Sequence, residues 1–321
     1  MAFIWSNTEP ARLSVVPIYD DLHNLCEVLK AANWAANDVL FTHDREQWKA
    51  LSPTEQHLLE RQFMFLIGID QKILDNLQHN FTKEVKCKET IRFFTLQAEN
   101  EHVHVDSYDL QARSVLSEEK YNEVVNCNNL KIIDKMHKWV DKWYEGEVAD
   151  LAPIGTRLAA FAAIEGVMFS VSFSIFQQLR EHRILDGLAS SNAYIVRDEG
   201  IHTTFACILI KKYLIERPDE KTVHQIFTEL VEILDEFAED AFSGEVKVFG
   251  LMLSEMKQYI KFQADCILIE MGYKPIWQLE NPFTFMEKLC LNDVNKPQHF
   301  EKRPTEYQHH GAPEYYIEKW D

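Results

Sequence analysis

The sequence predicts an all-α fold, and three observations carry that expectation. Gly and Pro are scarce, at 10 each in 321 residues, so turn signals are few. Runs in which Val, Ile and Thr alternate with polar residues are rare, which removes the main strand signal. Long stretches instead repeat apolar residues at three- and four-residue spacing, the pattern of a helix with one buried face.

Helices are expected at about 20–33, 53–78, 86–115, 119–127, 129–143, 153–181, 190–214, 220–240 and 246–271. The second opens on Ser52-Pro53-Thr54-Glu55, an N-cap followed by Pro in the first turn. It then runs through the apolar Phe63–Ile69 stretch to Asp70. The third carries a Glu-x-x-His pair, and the seventh carries another. Pro153-Ile154-Gly155 separates the fifth helix from the sixth, and Ser243-Gly244 ends the eighth. Nothing resembles an interdomain linker, so residues 1–290 are expected to form a single domain. Beyond about 290 the periodicity fades, and 291–321 reads as a C-terminal tail. Its end, Tyr315-Tyr316-Ile317-Glu318-Lys319-Trp320, is unusually aromatic.

Composition narrows the function classes. With 46% hydrophobic and 12% aromatic residues the chain can bury a large core. The net charge of −18, without a Lys/Arg cluster, argues against a nucleic-acid partner. The six cysteines (Cys26, Cys87, Cys127, Cys207, Cys266, Cys290) are dispersed and form no Cys-x-x-Cys. They read as reduced thiols in a cytoplasmic protein, not as a zinc site or redox dithiol. The N-terminus lacks the pattern of a signal peptide. Leu158–Phe176 is long and apolar enough to span a membrane, but it is a lone segment with Glu165 near its middle. A helix buried on all sides reads the same way, and no membrane association is expected.

The chemistry lies in two Glu-x-x-His pairs, Glu101/His104 and Glu199/His202, each preceded by a lone carboxylate in an apolar helix. Asp70 stands 31 residues before Glu101, and Glu165 stands 34 before Glu199. Residues i and i+3 share a helix face, so each pair aims a carboxylate and an imidazole at one point. A separation of about thirty residues suits a helical hairpin that returns the lone carboxylate to the same depth. Two such hairpins face to face supply four carboxylates and two imidazoles, the ligand set of a di-iron or di-manganese centre in a ferritin-like bundle.

Glu99/His102 and Glu306/His309 also fit the pattern. The first lies about 200° round the helix from Glu101/His104, on a wholly polar face with Thr95 and Asp106, and only one pair can face the core. The second sits near Pro and Gly in the tail. An unpaired carboxylate among the residues around Asp70 or Glu165 costs several kcal/mol, so a cation must compensate. A metal pair does so; a buried ion pair, for instance with Arg197, is the alternative. Carboxylate and imidazole without thiolate suit iron or manganese. Tyr108, one turn beyond His104, falls beside such a site, and Phe169 and Phe173 follow Glu165 at i+4 and i+8.

Taken in order, AENEHVHVDSY (98–108), AFAAIEGVMFSVSF (160–173), SNAYIVRDEGIH (191–202), MKQYIKFQAD (256–265), ENPFTFME (280–287) and FEKRPTEYQ (300–308) resemble the small, radical-generating subunit of class I ribonucleotide reductase. The eukaryotic and large-DNA-virus branch is the nearest in character, and the resemblance runs from about Trp34 to Tyr307. It implies that Asp70, Glu101, His104, Glu165, Glu199 and His202 bind two iron ions per chain, with manganese as the alternative. It implies that Tyr108 is oxidised to a stable radical by di-iron and dioxygen chemistry, inside a pocket of Phe169, Phe173 and Ile195. Asp198 would hydrogen-bond His104, Trp34 would complete a Trp–Asp–His path, and Tyr307 would relay oxidising equivalents to a separate large subunit that reduces ribonucleotides.

The same resemblance implies a homodimer, an external electron donor for activation, and docking to the large subunit through the C-terminal tail. The tail departs from the usual acidic pattern with a terminal Phe, which puts its match to a generic large subunit in doubt. A di-metal oxidase, a radical-dead structural paralogue and an iron-storage protein share the bundle. A paralogue usually lacks a ligand, and none is lacking here. A storage protein is usually half this length.

Overall fold

The computed structural model describes residues 2–5, 17–77, 81–126, 130–144, 146 and 149–289. Tyr307, the second-pair mimic Glu306/His309 and the whole expected tail lie outside the described residues, as do Cys127 and Cys290.

The described residues are mostly helical. In order, the helices are α1 (Asp20–Ala31), α2 (Asp44–Ala50), α3 (Pro53–Asn76), the single turn α4 (Thr82–Glu84), α5 (Lys88–Val115), α6 (Glu118–Val125) and α7 (Lys131–Trp143). There follow α8 (Ile154–Ala163), α9 (Ser170–His182), α10 (Asp186–Ile208), α11 (Glu220–Phe242) and α12 (Leu253–Met271). Between α8 and α9 the helix widens into one π turn, Ile164–Met168, and a second, Leu209–Tyr213, extends α10.

Local chemistry accounts for many of the boundaries. Ser52 Oγ accepts the Glu55 amide at 3.3 Å and Glu55 Oε2 accepts the Ser52 amide at 2.8 Å, a reciprocal cap that starts α3. Asp219 accepts the Thr222 amide at 2.9 Å to start α11, and Ser243 ends that helix in the left-handed region with φ 52°. At the end of α12, Gly272 takes φ 85° while the Tyr273 amide reaches back to Leu268 O at 2.8 Å.

Three expected boundaries are corrected. The helix expected from 190 begins at Asp186, because Asp44 Oδ1 and Oδ2 accept the Gly187 and Leu188 amides at 3.0 and 2.7 Å. That cap belongs to α2, itself too short to display a period. The helix expected from 246 begins at Leu253, because Lys247–Val248 pairs antiparallel with Leu251–Met252. Phe249 and Gly250 turn this hairpin with φ 48° and 83°, as a type I′ turn requires. The helix expected over 153–181 is interrupted by the π turn at Glu165.

Helix α5 packs against α3 and α10, and α10 packs in turn on α8 and α9; α11 closes over α3, α7 and α8. The two hairpins thus face each other across a common core. Within Ile154–His182 the most apolar 18-residue window has mean hydropathy 1.8 and is 94% buried, so its character is that of a core helix surrounded by protein. Cys26, Cys87 and Cys207 are buried free thiols, and burial pushes the first two up to about 11, which leaves them protonated and unreactive.

Candidate metal centre

Four helical segments each deliver part of one buried cluster. Asp70 comes from α3, Glu101 and His104 from α5, Glu165 from the first π turn, and Glu199 and His202 from α10. All six are at most 2% exposed. The competing face of α5 behaves as its polarity requires: Thr95, Glu99, His102 and Asp106 are all exposed.

The cluster is organised about two points. The ligand atoms of Glu101, Glu165, Glu199 and His202 lie within 4.8 Å of one another, as do those of Asp70, Glu101 and His104. Glu101 spans both imidazoles, with Oε2 at 3.1 Å from His104 Nδ1 and Oε1 at 3.3 Å from His202 Nδ1. Glu199 does the same, at 3.0 Å from His104 Nδ1 and 3.3 Å from His202 Nδ1. The lone carboxylates stand at the ends: Asp70 is 4.0 Å from His104 Nδ1, and Glu165 is 3.5 Å from His202 Nδ1. Two central bridges, two terminal carboxylates and one imidazole at each end make a donor set for two cations.

Electrostatics point the same way. Burial pushes the Asp70 and Glu165 carboxyls well above the usual range, and the neighbouring carboxylates, Glu101 for the first and Glu199 for the second, push further. Burial also acts against Glu199, but its hydrogen bonds with Glu165 and His104 outweigh it and hold the group low. Burial disfavours charge on His104 and His202, yet acceptors led by Asp198 for one and Glu101 for the other raise both well above their ordinary value. Among the described residues, both oxygens of Asp70 and Oε2 of Glu165 make no hydrogen bond. Arg197, the ion-pair partner considered from sequence, instead donates to Asp198 and to the Ala32 carbonyl. Among the described residues, no Lys or Arg reaches these converging buried acceptors, and with the two imidazoles they fit a pair of hard or borderline metal ions.

The surrounding residues orient the cluster. Trp34 Nε1 donates to Asp198 Oδ2 at 2.7 Å, and that same oxygen lies 3.4 Å from His104 Nε2. An unbroken chain therefore runs from Trp34 through Asp198 to the imidazole. Arg197 Nε and Nη2 hold the other Asp198 oxygen at 3.0 and 2.8 Å. Gln97 was not singled out from sequence, although it sits one turn before Glu101 on the same face. Its Nε2 donates to Glu101 Oε1 at 3.1 Å and to Glu165 Oε1 at 3.0 Å, linking the two hairpins.

Tyr108 is fully buried, and its hydroxyl has no hydrogen-bond partner among the described residues. Burial, then the Asp70 carboxylate, raise its phenol well above the ordinary value. Phe169 and Ile195 are fully buried and Phe173 nearly so. Phe169 stacks on Phe173 at 5.4 Å and meets Phe65 at 5.7 Å. A cavity of about 40 Å³, lined by Phe173, Val196, Tyr259 and Met286 among others, reaches Glu165 and Glu199. That is room for a water-sized molecule.

Comparison with known proteins agrees with this geometry. The family model for the ribonucleotide reductase small chain matches residues 13–282. The ribonucleoside-diphosphate reductase small chain of African swine fever virus (strain Badajoz 1971 Vero-adapted) is 36% identical over 301 residues, 92% of this chain and 89% of that one. Subunit M2 of the same enzyme from Mesocricetus auratus is 35% identical over 306 residues, 94% of this chain and 77% of that one. Among solved structures, the Rnr4 homodimer of Saccharomyces cerevisiae superposes with a TM-score of 0.78 at 26% identity, covering 90% of this chain and 91% of that one. The match of model, relatives and ferritin-like architecture over most of its length means that the chain belongs to the ribonucleotide reductase small-chain family, as a small subunit of a ribonucleoside-diphosphate reductase.

Proposed function

We propose that this subunit holds two iron ions and stores a one-electron oxidising equivalent on Tyr108 for use by a separate large subunit. The observation that carries the reading is the convergence of four buried carboxylates and two imidazoles, joined through Asp198 to Trp34. Asp70 and His104 would hold one ion, Glu165 and His202 the other, with Glu101 and Glu199 spanning the two. Manganese is the alternative occupant, since the donor set suits either metal. When bound, reduced and supplied with dioxygen and electrons, the metal pair furnishes the oxidant.

The chain's own residues do the rest. Tyr108 gives up one electron and one proton together, because its buried phenol resists losing the proton alone. The apolar wall of Phe169, Phe173 and Ile195 keeps solvent from the oxidised ring. Asp198 accepts from Trp34 while facing His104, which fixes the indole and imidazole in one conduit. Tyr307 then relays the equivalent to a cysteine of the large subunit, where the ribonucleotide loses its 2′-hydroxyl. The subunit is proposed to act as a cytoplasmic homodimer, with 1–290 as its helical domain and 291–321 as the segment that docks to the large subunit.

Electron paramagnetic resonance tests the reading. Metal-free protein is loaded with ferrous iron and exposed to oxygen beside a Tyr108→Phe control. A tyrosyl signal present in wild type and missing from the control is expected. A loaded site without that signal refutes the radical assignment, and failure to bind iron refutes the ligand set.

A further inference from the structure

Tyr194 lies on α10 one turn before Asp198. Its ring stacks on Trp34, with centroids 5.1 Å apart and planes inclined by 27°. The indole is therefore fixed twice, through its N–H on Asp198 and through its face on Tyr194. Trp34 is buried whereas Tyr194 is half-buried. The stack leads outward from a fully buried carboxylate, through a buried indole, to a half-buried phenol. The Arg197 guanidinium carbon sits 5.5 Å from the Tyr194 ring centroid, while its nitrogens grip Asp198.

We propose that Tyr194 is a redox-active side chain that donates an electron to oxidised Trp34, extending the conduit by one stacked ring. The inference rests on the function proposed above, which supplies the oxidant: Trp34 after loss of one electron. Tyr194 returns that electron across the stack. Its phenolic O–H bond breaks, the proton passes to solvent, and a neutral phenoxyl radical remains. Trp34 is restored to the closed-shell indole with its N–H still on Asp198. The nearby guanidinium opposes a ring that retains positive charge, so loss of the proton with the electron is the favoured course. A Phe or Leu at this position would fill the space but hold no electron to give at this potential.

The test uses the full chain, loaded anaerobically with ferrous iron, mixed with oxygen and freeze-quenched for electron paramagnetic resonance. In the Tyr108→Phe protein the main electron donor is gone, and a transient tyrosyl signal is expected. Ring-deuterated tyrosine should narrow its lines, which marks it as tyrosyl and not tryptophanyl. In Tyr108→Phe with Tyr194→Phe, which keeps the ring stack and removes only the hydroxyl, that signal should vanish and a longer-lived Trp34 radical should replace it. An unchanged tyrosyl signal in the double variant overturns the inference, as does a Trp34 radical alone in Tyr108→Phe. In both cases the wild-type Tyr108 radical stands, so the proposed function survives. A wild-type protein that binds iron but forms no radical overturns both.

Discussion

Replacing Asp70 by Ala should stabilise the metal-free protein and abolish its response to metal. Asp70 is fully buried, neither oxygen makes a hydrogen bond among the described residues, and burial pushes its carboxyl well above the usual range. A buried polar group without a partner costs about 1–3 kcal/mol. The void left by truncation takes back about 1 kcal/mol, for a net gain of about 1 kcal/mol in the metal-free state. With an unfolding entropy of about 2.1 cal/mol/K per residue over 321 residues, that gain raises Tm by about 1.5 °C. Metal present at about a hundred times its Kd adds about 2.7 kcal/mol to wild type, or about 4 °C on the same scale. The order of stabilities should therefore invert: the variant above wild type without metal, and below it with metal. Thermal unfolding followed by circular dichroism, with and without manganous ion under argon, reads both arms. A metal-free variant that melts several degrees below wild type would show that Asp70 has a compensating partner. Equal stabilisation of both proteins by metal would remove Asp70 from the site.

Loading should release protons and tighten as pH rises. Asp70 and Glu165 have folded values raised above 3.8 and 4.5, and His104 and His202 are raised above 6.5. Each raised group's contribution to metal-free stability is complete below its ordinary value and is lost as pH climbs through the raised one. Glu199, held low, has the opposite sign, and its contribution is lost only in acid. Above the carboxylate range the metal-free protein should thus weaken with pH while metal affinity grows. Titration calorimetry in buffers of different ionisation enthalpy counts the protons, and a pH-independent affinity would contradict the burial argument. Asp198→Asn should lower metal affinity by about 10–100-fold, measured against a competing chelator, because the imidazole loses its anionic partner; unchanged affinity would leave Asp198 a role in the conduit alone. Removal of the residues after Tyr307 should abolish nucleotide reduction with the large subunit while leaving the metal content intact, and retained reduction would dismiss the tail as the docking segment.

Features written within one or two helical turns were legible in the sequence. The Ser52/Glu55 cap and the Ser243-Gly244 stop depend on neighbours, and both occur as expected. The choice between the two faces of α5 followed from polarity alone, and burial agrees at every position named. Long-range partners were not legible. The Asp44 cap on α10 joins residues more than 140 apart in sequence, and no local signal marks it. The hairpin at 247–252 hid behind an apolar run in which Gly250 was the one cue. Gln97 stands at i−4 from Glu101, a spacing that would have flagged it had amides been considered beside carboxylates.

The π turn at Ile164–Met168 has a consequence for the reading frame of the helix around it. A π turn takes one residue more than an α turn, so α8 and α9 share an axis but not a phase. Deleting Gly166, Val167 or Met168 would restore a regular α-helix without removing a ligand. Because the π turn already absorbs the extra residue, α8 and α9 would keep their places, and the change would fall on side-chain directions inside the turn, where one residue is worth about 100°. Glu165 lies inside that turn, so its aim at the other ligands is what the deletion would alter, although every chemically necessary side chain remained encoded. In this segment indels are as informative as substitutions: a homologue with all six ligands and one residue fewer here would present its Glu165 counterpart from a different turn geometry.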